Sequence, residues 1–280
     1  MKIGITGNKG FLGSNLVNNL CKSHELELFD RKKHNLKDVK SLKTFVEDTD
    51  CIIHLAGVNR ASNSELININ SFGTFNLMEA IQKYGNNPKV IFSSSMQVYG
   101  LKNEFNFLDE SFTLNPDNTY GLSKKIGEDI VKFFSYSNDI ETIILRIANI
   151  FGPGCKPYYN SVIATFLHII FNDNQNIMID GSGNQARDFI YISDVVDAIN
   201  LSINYTPKKS EVFNICTGKA TTLNNLVEII SKVLNKDINI SHNNLLKLDD
   251  FLVGCPDKAC RCLGFKAKET IESGINSMVI

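Results

Sequence analysis

Short apolar runs alternate with longer amphipathic stretches through the first half of this 280-residue chain. The runs have the length of buried strands, and the stretches between them repeat apolar residues at the three-to-four spacing of helices. Strands separated by helix-length segments favour an α/β fold with a doubly wound parallel sheet. The pattern predicts strands at 2–6, 25–29, 51–55, 89–93 and 141–146, and helices at 11–21, 39–47, 64–84 and 119–135.

The regular alternation of predicted strands and helices ends after residue 146. Gly152-Pro153-Gly154 interrupts the alternation, and short strands, glycine turns and further helices near 161–171, 193–203 and 223–234 follow. This change predicts a large Rossmann domain at 1–150 and a smaller, mainly substrate-binding lobe at 151–280. We expect 187–204 to return to the large domain. Without an evident linker, the two parts are expected to pack as one unit.

Composition excludes several classes of partner. The formal net charge of -1 offers no electrostatic attraction to nucleic acid or to an acidic membrane surface. No apolar run approaches the roughly 20 residues that span a bilayer. The chain opens into a strand without a leader pattern, and its seven cysteines are scattered, which predicts a cytoplasmic protein. The cluster Cys255, Cys260 and Cys262 matches no common zinc spacing, so no metal is expected.

Three glycines mark a candidate phosphate site between the first predicted strand and helix. Gly7, Gly10 and Gly13 stand where a strand turns into a helix, the context that makes a glycine pattern informative. Glycines permit the tight turn and let a pyrophosphate approach the backbone at the helix N-terminus. The first gap holds two residues rather than one. The loop therefore predicts a dinucleotide with an imperfect match to the fingerprint.

Residues at the end of the second predicted strand bear on whether the cofactor is NAD or NADP. Asp30 can accept hydrogen bonds from ribose hydroxyls and repel a 2′-phosphate, which favours NAD. Arg31 and Lys32 follow directly and can instead hold the 2′-phosphate of NADP, so that both cofactors stay open. Asn35 and Leu36 are then expected near the adenine.

Tyr120 and Lys124 form the most informative pair in the sequence. Residues four apart share a helix face, so the ammonium can lie beneath the phenol. A free phenol has a pKa of about 10, and a nearby cation lowers that pKa. Tyr120 is therefore a candidate proton carrier. The strand before this helix ends in Ser93-Ser94-Ser95, and one of these hydroxyls can hydrogen-bond the substrate oxygen.

These features resemble the extended short-chain dehydrogenase/reductases of the NAD-dependent epimerase/dehydratase family, which act on nucleoside-diphosphate sugars. The resemblance runs almost from end to end and continues into the second half of the chain. It rests on segments 6–13, 54–57, 93–100, 120–124, 146–154, 187–195, 213–215 and 263–265.

The resemblance implies roles for individual residues. The implied catalytic set is Ser95, Tyr120 and Lys124, with Lys124 also holding the nicotinamide ribose. The implied cofactor contacts are Gly7, Lys9, Gly10, Phe11, Leu12, Gly13, Asp30, Arg31, Asn35, Leu36, Leu55, Ala56, Gly57, Asn70, Ser93, Tyr120, Lys124 and Ile147. The implied substrate contacts are Ser95, Met96, Gln97, Asn149, Arg187 and Tyr191, with the Arg187 guanidinium on the diphosphate.

The resemblance leaves the reaction open between two main alternatives. A 4-epimerase is favoured by Asp30, the serine segment and Arg187. A 4-keto reductase is favoured by segments 54–60 and 155–166, which resemble the reductase half of bacterial capsule enzymes. Similar dehydratases place an acid pair after the catalytic Ser or Thr, where this chain has Met96-Gln97. A silent dinucleotide sensor on this fold typically loses the tyrosine or the lysine, and both are present.

Two further expectations concern substrate and assembly. Many members carry a second diphosphate arginine before the final helices, but 248–254 contains none, and Lys247 is the point charge that can replace it. The helices at 64–84 and 119–135 carry outward apolar positions. A homodimer formed through these two helices is therefore expected.

Overall fold

The computed structural model of the chain describes residues 1–172, 176–243 and 249–279. Its strands are β1 (Lys2–Thr6), β2 (Glu25–Leu28), β3 (Cys51–His54), β4 (Lys89–Ser95), β5 (Phe107–Leu108), β6 (Thr142–Ile147), β7 (Asn149–Phe151), β8 (Asn176–Asp180), β9 (Ala186–Arg187), β10 (Phe189–Tyr191), β11 (Ser210–Ile215), β12 (Thr221–Thr222), β13 (Asn239–Asn243) and β14 (Phe251–Gly254). Its α-helices are α1 (Phe11–Leu20), α2 (Lys43–Val46), α3 (Asn63–Leu66), α4 (Gly73–Tyr84), α5 (Thr119–Asn138), α6 (Val162–Asn172), α7 (Ile192–Asn204), α8 (Leu223–Leu234), α9 (Asp257–Leu263) and α10 (Ile271–Val279).

Six parallel strands form the central sheet in the order β11-β6-β4-β3-β1-β2. Strand β1 pairs with β2 on one side and with β3 on the other, so the chain reverses its direction of winding at β1. In open sheets of this kind, ligands bind beyond the carboxyl ends of the strands at that switch point. The predicted doubly wound α/β fold is confirmed. A ligand site is therefore expected at the loops after β1, β3 and β4.

Apolar side chains cover both faces of the sheet. In β3, Ile52 packs into the cluster that contains Phe45 and Leu77, whereas its neighbour Ile53 packs with Ile3 on the opposite face. Successive strand residues point to opposite faces, so a strand covered on both sides reads as a continuous apolar run. This burial explains why the strands could be recognised in the sequence.

The chain returns to the large sheet over a longer stretch than the 187–204 expected from the sequence. Helix α7 packs against α1, and β11 then adds a sixth strand beside β6. Helix α9, which carries Cys260 and Cys262, packs on β11. Glycine and lysine turns flank β11, which is why its sequence context suggested the smaller lobe.

The smaller lobe has an apolar core of its own. Phe151, Phe166, Ile177 and Leu226 are buried together there. Around them lie β8 paired with β13, β7 paired with β10, and a four-stranded sheet in the order β12-β9-β14-β5. Strand β7 begins two residues after β6 ends, so the lobe starts at the carboxyl edge of the large sheet.

Two findings bear on membranes and metals. None of the helices in the described ranges combines the length and apolar character that crossing a bilayer requires. Within the same ranges, no three His, Cys, Asp or Glu side chains cluster in a way that suits a metal ion.

His54 ends β3 as a buried, neutral ring. Its Nδ1 lies 2.7 Å from Thr6 Oγ1 and its Nε2 lies 3.0 Å from Thr74 Oγ1, so it links β1, β3 and α4. Burial, and to a smaller extent the charge of Lys124, lowers the pKa of His54 to about 3. In the unfolded chain the same imidazole takes up a proton near pH 6.5. The folded state therefore loses stability as the pH falls below about 6.5 towards 3.

Replacement of His54 by Gln, which cannot take up a proton, should remove this part of the acid sensitivity. The free energy of unfolding of the wild type, relative to His54→Gln, should fall by about 1.4 kcal/mol for each pH unit between about 6 and 4. Urea denaturation of both proteins across this range measures the difference. A difference that stays constant with pH would show that His54 is not held neutral.

Candidate active site

The glycine loop between β1 and α1 has a backbone that only glycine permits at two positions. Gly7 has a φ of +70°, and a Cβ on Gly13 would lie 2.1 Å from the Gly7 oxygen. That oxygen accepts a hydrogen bond from Gly10 N at 2.9 Å, which closes the turn before α1 begins. Gly10 has no side chain to cap the helix. The N-terminus of α1 can therefore receive a pyrophosphate from outside, and the loop suits a dinucleotide.

Other predicted cofactor residues lie around this loop. Lys9 is exposed, Leu12 is half-buried, and Phe11 would contact a Cβ on Gly154 at 3.4 Å, so α1 reaches the start of the smaller lobe. Ala56 N donates to Thr6 Oγ1 at 3.1 Å, which holds the Leu55-Ala56 turn beside the glycines. Ile147 ends β6 and is buried.

Asp30 lies at the same edge of the sheet as Gly7. The pair Ile5–Leu28 is in register between β1 and β2, and Gly7 and Asp30 each follow it by two residues. The Asp30 Oδ1 accepts a hydrogen bond from Lys32 N at 3.0 Å, whereas Arg31 is exposed.

The predicted adenine side of the cleft is held to α4. The Leu36 oxygen accepts from Asn76 Nδ2 at 2.7 Å, and Asn35 Oδ1 accepts from Lys37 N at 2.9 Å. Both contacts order the loop that follows Asp30.

The three serines that end β4 have different partners. Ser93 Oγ donates to the His54 oxygen at 3.1 Å, and Ser94 Oγ donates to Glu128 Oε1 at 2.6 Å. Ser95 accepts from Gln97 N at 3.2 Å and is hydrogen-bonded to Tyr120. Ser93 and Ser94 therefore support the sheet and the helix, and Ser95 alone adjoins the predicted proton carrier.

Lys124 is buried in α5, one turn after Tyr120. Its Nζ donates to the Ser93 oxygen at 2.8 Å and lies 5.2 Å from the centre of the Phe92 ring. Burial lowers the pKa of Lys124 to about 8, and the nearby Glu128 carboxylate opposes that shift. The ammonium charge is therefore present at neutral pH and is lost in mildly alkaline solution.

The pKa of Tyr120 differs from the sequence-based expectation. Burial raises it to about 12, the hydrogen bond with Ser95 opposes the rise, and Tyr159 adds to it. Lys124, expected to lower this pKa, instead directs its ammonium to the Ser93 oxygen. In the protein alone, Tyr120 is a protonated phenol.

A buried ion pair beneath the helix was missed by sequence reasoning. Glu128 is fully buried and accepts from Arg146 Nε at 2.9 Å and from Arg146 Nη2 at 2.8 Å. Arg146 Nη1 donates in turn to Tyr99 Oη at 2.8 Å. The sequence did contain a signal for the buried position of Glu128, because Glu128 continues the four-residue spacing of Tyr120 and Lys124 on one helix face.

A π-helical turn at Ile67–Phe72 separates α3 from α4 in the stretch predicted as one helix at 64–84. It brings the buried Asn70 to Ser123 Oγ at 2.9 Å, and the same amide holds Val58 N at 2.8 Å and Val58 O at 2.9 Å. A Cβ on Gly57 would lie 3.5 Å from Lys124 Nζ. Asn70, predicted as a cofactor contact, therefore holds the loop after β3 against α5.

A cavity of about 920 Å³ opens between the large sheet and the smaller lobe. Four predicted residues line it, namely Gln97, Tyr120, Asn149 and Arg187. Sequence reasoning did not name the further lining residues as site residues, although several of them lie in segments 54–60 and 155–166. They include Asn59, Arg60, Asn118, Tyr158, Tyr159, Asn160 and Gln185, together with Asn63 at the start of α3.

Three predicted substrate contacts are not part of this lining, namely Ser95, which adjoins Tyr120, and Met96 and Tyr191. Met96 is only 2% exposed and packs in the main core, where a Cβ on Gly254 would meet its sulfur at 2.8 Å. Tyr191 packs its ring on Phe151, and its hydroxyl lies 2.7 Å from Ser277 Oγ. Met96 therefore turns inward after β4, and Tyr191 faces α10.

Comparison with known proteins agrees with this architecture. The model of the NAD dependent epimerase/dehydratase family matches residues 3–216. A putative UDP-glucose 4-epimerase of Methanocaldococcus jannaschii is 31% identical over 301 residues, which cover 98% of this chain and 96% of the relative. A structure of MoeE5 in complex with UDP-glucuronic acid and NAD has a TM-score of 0.85 and 26% identity, covering 100% of this chain and 98% of that one.

A second relative differs in its reaction. The UDP-2-acetamido-2,6-beta-L-arabino-hexul-4-ose reductase of Pseudomonas aeruginosa is 33% identical over 197 residues. The match covers 70% of this chain and 48% of the reductase, so this chain spans about half the length of that protein.

Substitution of Gly13 by Ala should strongly weaken cofactor binding. The added Cβ displaces the Gly7 carbonyl and the amides of the loop, so the affinity for NAD should fall about 100-fold, or about 2.8 kcal/mol. Gly73→Ala is the matched control, because its Cβ would make only an ordinary 3.5 Å contact with Leu36. Calorimetric titration with NAD, with thermal unfolding as a check of folding, compares the two. Equal affinities would contradict the assigned cofactor loop.

Proposed function

Because this chain belongs to the NAD-dependent epimerase/dehydratase family, we propose that it is a 4-epimerase of a nucleoside-diphosphate sugar of the UDP type. The observation that carries the proposal is the meeting of Ser95 and Tyr120 beside the cavity, with the Lys124 ammonium behind them. The loops after β1 and β2 supply a matching dinucleotide site.

The proposed chemistry follows from these side chains. Bound NAD supplies a hydride acceptor for C4 of the sugar and a positive ring charge that favours the Tyr120 phenolate. Ser95 orients the C4 oxygen, and Tyr120 takes its proton and later returns it. Lys124 carries its proton at neutral pH, as its pKa of about 8 permits, and donates it in a hydrogen bond to the Ser93 oxygen. With NAD held at the glycine loop, return of the hydride to the opposite face of C4 would complete the epimerisation.

The lining of the cavity supports a ligand rich in hydroxyl groups. Gln97, Asn118 and Asn149 are among the amides that line it, and an amide both donates and accepts hydrogen bonds. A cavity of this size suits a small polar ligand, and its walls belong to both parts of the chain. We propose Gln97, Asn149 and Arg187 as substrate contacts, with the Arg187 guanidinium on the diphosphate.

The segment after Ser95 argues against a dehydratase. The Met96 side chain is buried in the core, and Gln97 presents an amide to the cavity. Neither group can serve as the acid or base that loss of water from the sugar requires.

A 4-keto reductase is the second candidate, favoured by the relative from Pseudomonas aeruginosa. The two segments that resemble capsule reductases also contact each other here. Arg60 Nε donates to the Tyr159 oxygen at 2.8 Å, and Asn59 Nδ2 donates to the same oxygen at 3.3 Å. This contact joins the loop after β3 to the loop before α6 at the cavity.

We propose NAD rather than NADP as the cofactor. Asp30 lies two residues past the end of β2, at the sheet edge where an adenosine ribose is expected. Its carboxylate would repel a 2′-phosphate, whereas Arg31 points to solvent.

Release of bound nucleotide separates the two candidates. An epimerase regenerates its cofactor in each cycle, so the purified, denatured protein should release about one NAD per chain and interconvert a UDP-sugar with its C4 epimer. Chromatography of the supernatant and of the sugar products measures both. Protein that is free of nucleotide and oxidises NADPH only with a 4-keto sugar would favour the reductase.

Tyr120→Phe is the control for this assay. It removes the proton carrier and retains the ring, so turnover should fall about 10²–10⁴-fold while the released NAD stays unchanged. Turnover equal to that of the wild type would exclude Tyr120 as the proton carrier.

We also propose a homodimer through one helical face. Phe133 and Tyr136 of α5 are 61% and 60% exposed, and Phe72, the last residue of the π-helical turn before α4, is 59% exposed. Helices α4 and α5 pack side by side, and we propose that these exposed rings form one apolar surface. The double substitution Phe133→Asp and Tyr136→Asp should convert the dimer to a monomer in light scattering. Phe171→Asp, at a comparably exposed ring on α6, should leave the dimer intact. A wild-type monomer would contradict the proposal.

A further inference from the structure

Arg187, the proposed diphosphate contact, is paired with a carboxylate of its own chain. Its Nη2 lies 2.5 Å from Asp250 Oδ1, and the two side chains are 21% and 7% exposed. Its Nη1 donates to the Ala186 oxygen at 2.9 Å and to the Asp250 oxygen at 3.0 Å. The guanidinium is therefore fixed at the wall of the cavity, and its charge is compensated before any ligand arrives.

The cavity offers little other positive charge. Among the described residues that line it, the cations are Arg60 and Arg187, and Arg60 already donates its Nε to the Tyr159 oxygen. Asp180 adds a carboxylate to the lining. Lys247, the replacement cation expected from the sequence, lies outside the described residues. A diphosphate that binds in this cavity therefore meets a wall of low net charge.

From this geometry we infer that Asp250 is a specificity-determining residue that weakens diphosphate binding by neutralising Arg187. The inference rests on the proposed function, which places the diphosphate at Arg187. An ion pair that is largely shielded from water interacts strongly, so the ligand competes with the Asp250 carboxylate for the same guanidinium. A ligand with less charge at this position meets less competition.

The backbone around Asp250 allows the charge to be removed while the arginine stays in place. The Asp250 oxygen also accepts from Ala186 N at 3.0 Å, a contact between β9 and the residue before β14. Neither backbone contact changes in Asp250→Asn, and the amide oxygen of Asn can still accept from Arg187. This substitution therefore changes the charge of the partner and retains the orientation of the guanidinium.

The test compares UDP with uridine, which has the same base and ribose without phosphates. Asp250→Asn should bind UDP about tenfold more tightly than the wild type, a gain of about 1.4 kcal/mol, with unchanged affinity for uridine. Asp249→Asn is the matched control, because it removes the same charge one residue away, where the carboxylate pairs with Ser182 Oγ. Its affinity for UDP should equal that of the wild type. Calorimetry at fixed ionic strength measures all three proteins.

The outcomes separate this inference from the proposed function. Equal or weaker binding of UDP to Asp250→Asn would overturn the inference, since the carboxylate would then be neutral or helpful to the ligand. An equal gain in Asp249→Asn would also overturn it, because the effect would then be one of overall charge. Failure of every protein to bind any nucleoside diphosphate would overturn the proposed function itself. If Asp250→Asn does not fold, Asp250→Ser supplies the same comparison.

Discussion

The site depends on burying Lys124 and Arg146 around a single carboxylate. Glu128 is inaccessible to solvent and accepts hydrogen bonds from Nε and Nη2 of Arg146 and from Ser94 near the end of β4. Breaking a buried pair of this kind costs about 3–5 kcal/mol, because it leaves a charge without a partner in a low dielectric. The arrangement fixes α5 against β4 and β6. It also favours the protonated form of Lys124, whose pKa burial alone would lower further.

The rest of the chemistry follows from where parallel strands end. Thr6, His54 and Ser93 lie at the carboxyl ends of β1, β3 and β4, and hydrogen bonds join each to the next. These links place three features along the carboxyl edge of the central sheet: the glycine loop, the Gly57 turn and the Lys124 ammonium. The smaller lobe then adds Asn149 and Arg187 across the cavity. In the proposed reaction the large lobe therefore supplies the proton carrier, and the smaller lobe supplies Asn149 and Arg187.

The sequence predicted those parts of the fold that repeat a pattern. Strands such as β1 and β3 are apolar throughout because both faces are covered, and Gly7 and Gly13 occupy positions that exclude a side chain. The contacts made by loops carry no such period. Periodicity therefore did not indicate the π-helical turn at Asn70 or the Arg60–Tyr159 contact. The raised pKa of Tyr120 depends on burial and on the direction of the Lys124 ammonium. A four-residue spacing in the sequence predicts neither of them.

The protonation states of Tyr120 and Lys124 also bear on how the two candidate reactions differ. A reductase needs a proton donor at the start of its cycle, and a phenol with a pKa of about 12 is already in that form. An epimerase starts by removing a proton, so its phenolate must be produced when the cofactor binds, by a positive charge near the ring. The same residues therefore serve either direction, and the deciding difference is whether the cofactor stays bound through the cycle. In the proposed site that retention depends on the loops after β1 and β2, so the dinucleotide end of the cleft bears on the choice of reaction as well as the catalytic side chains do.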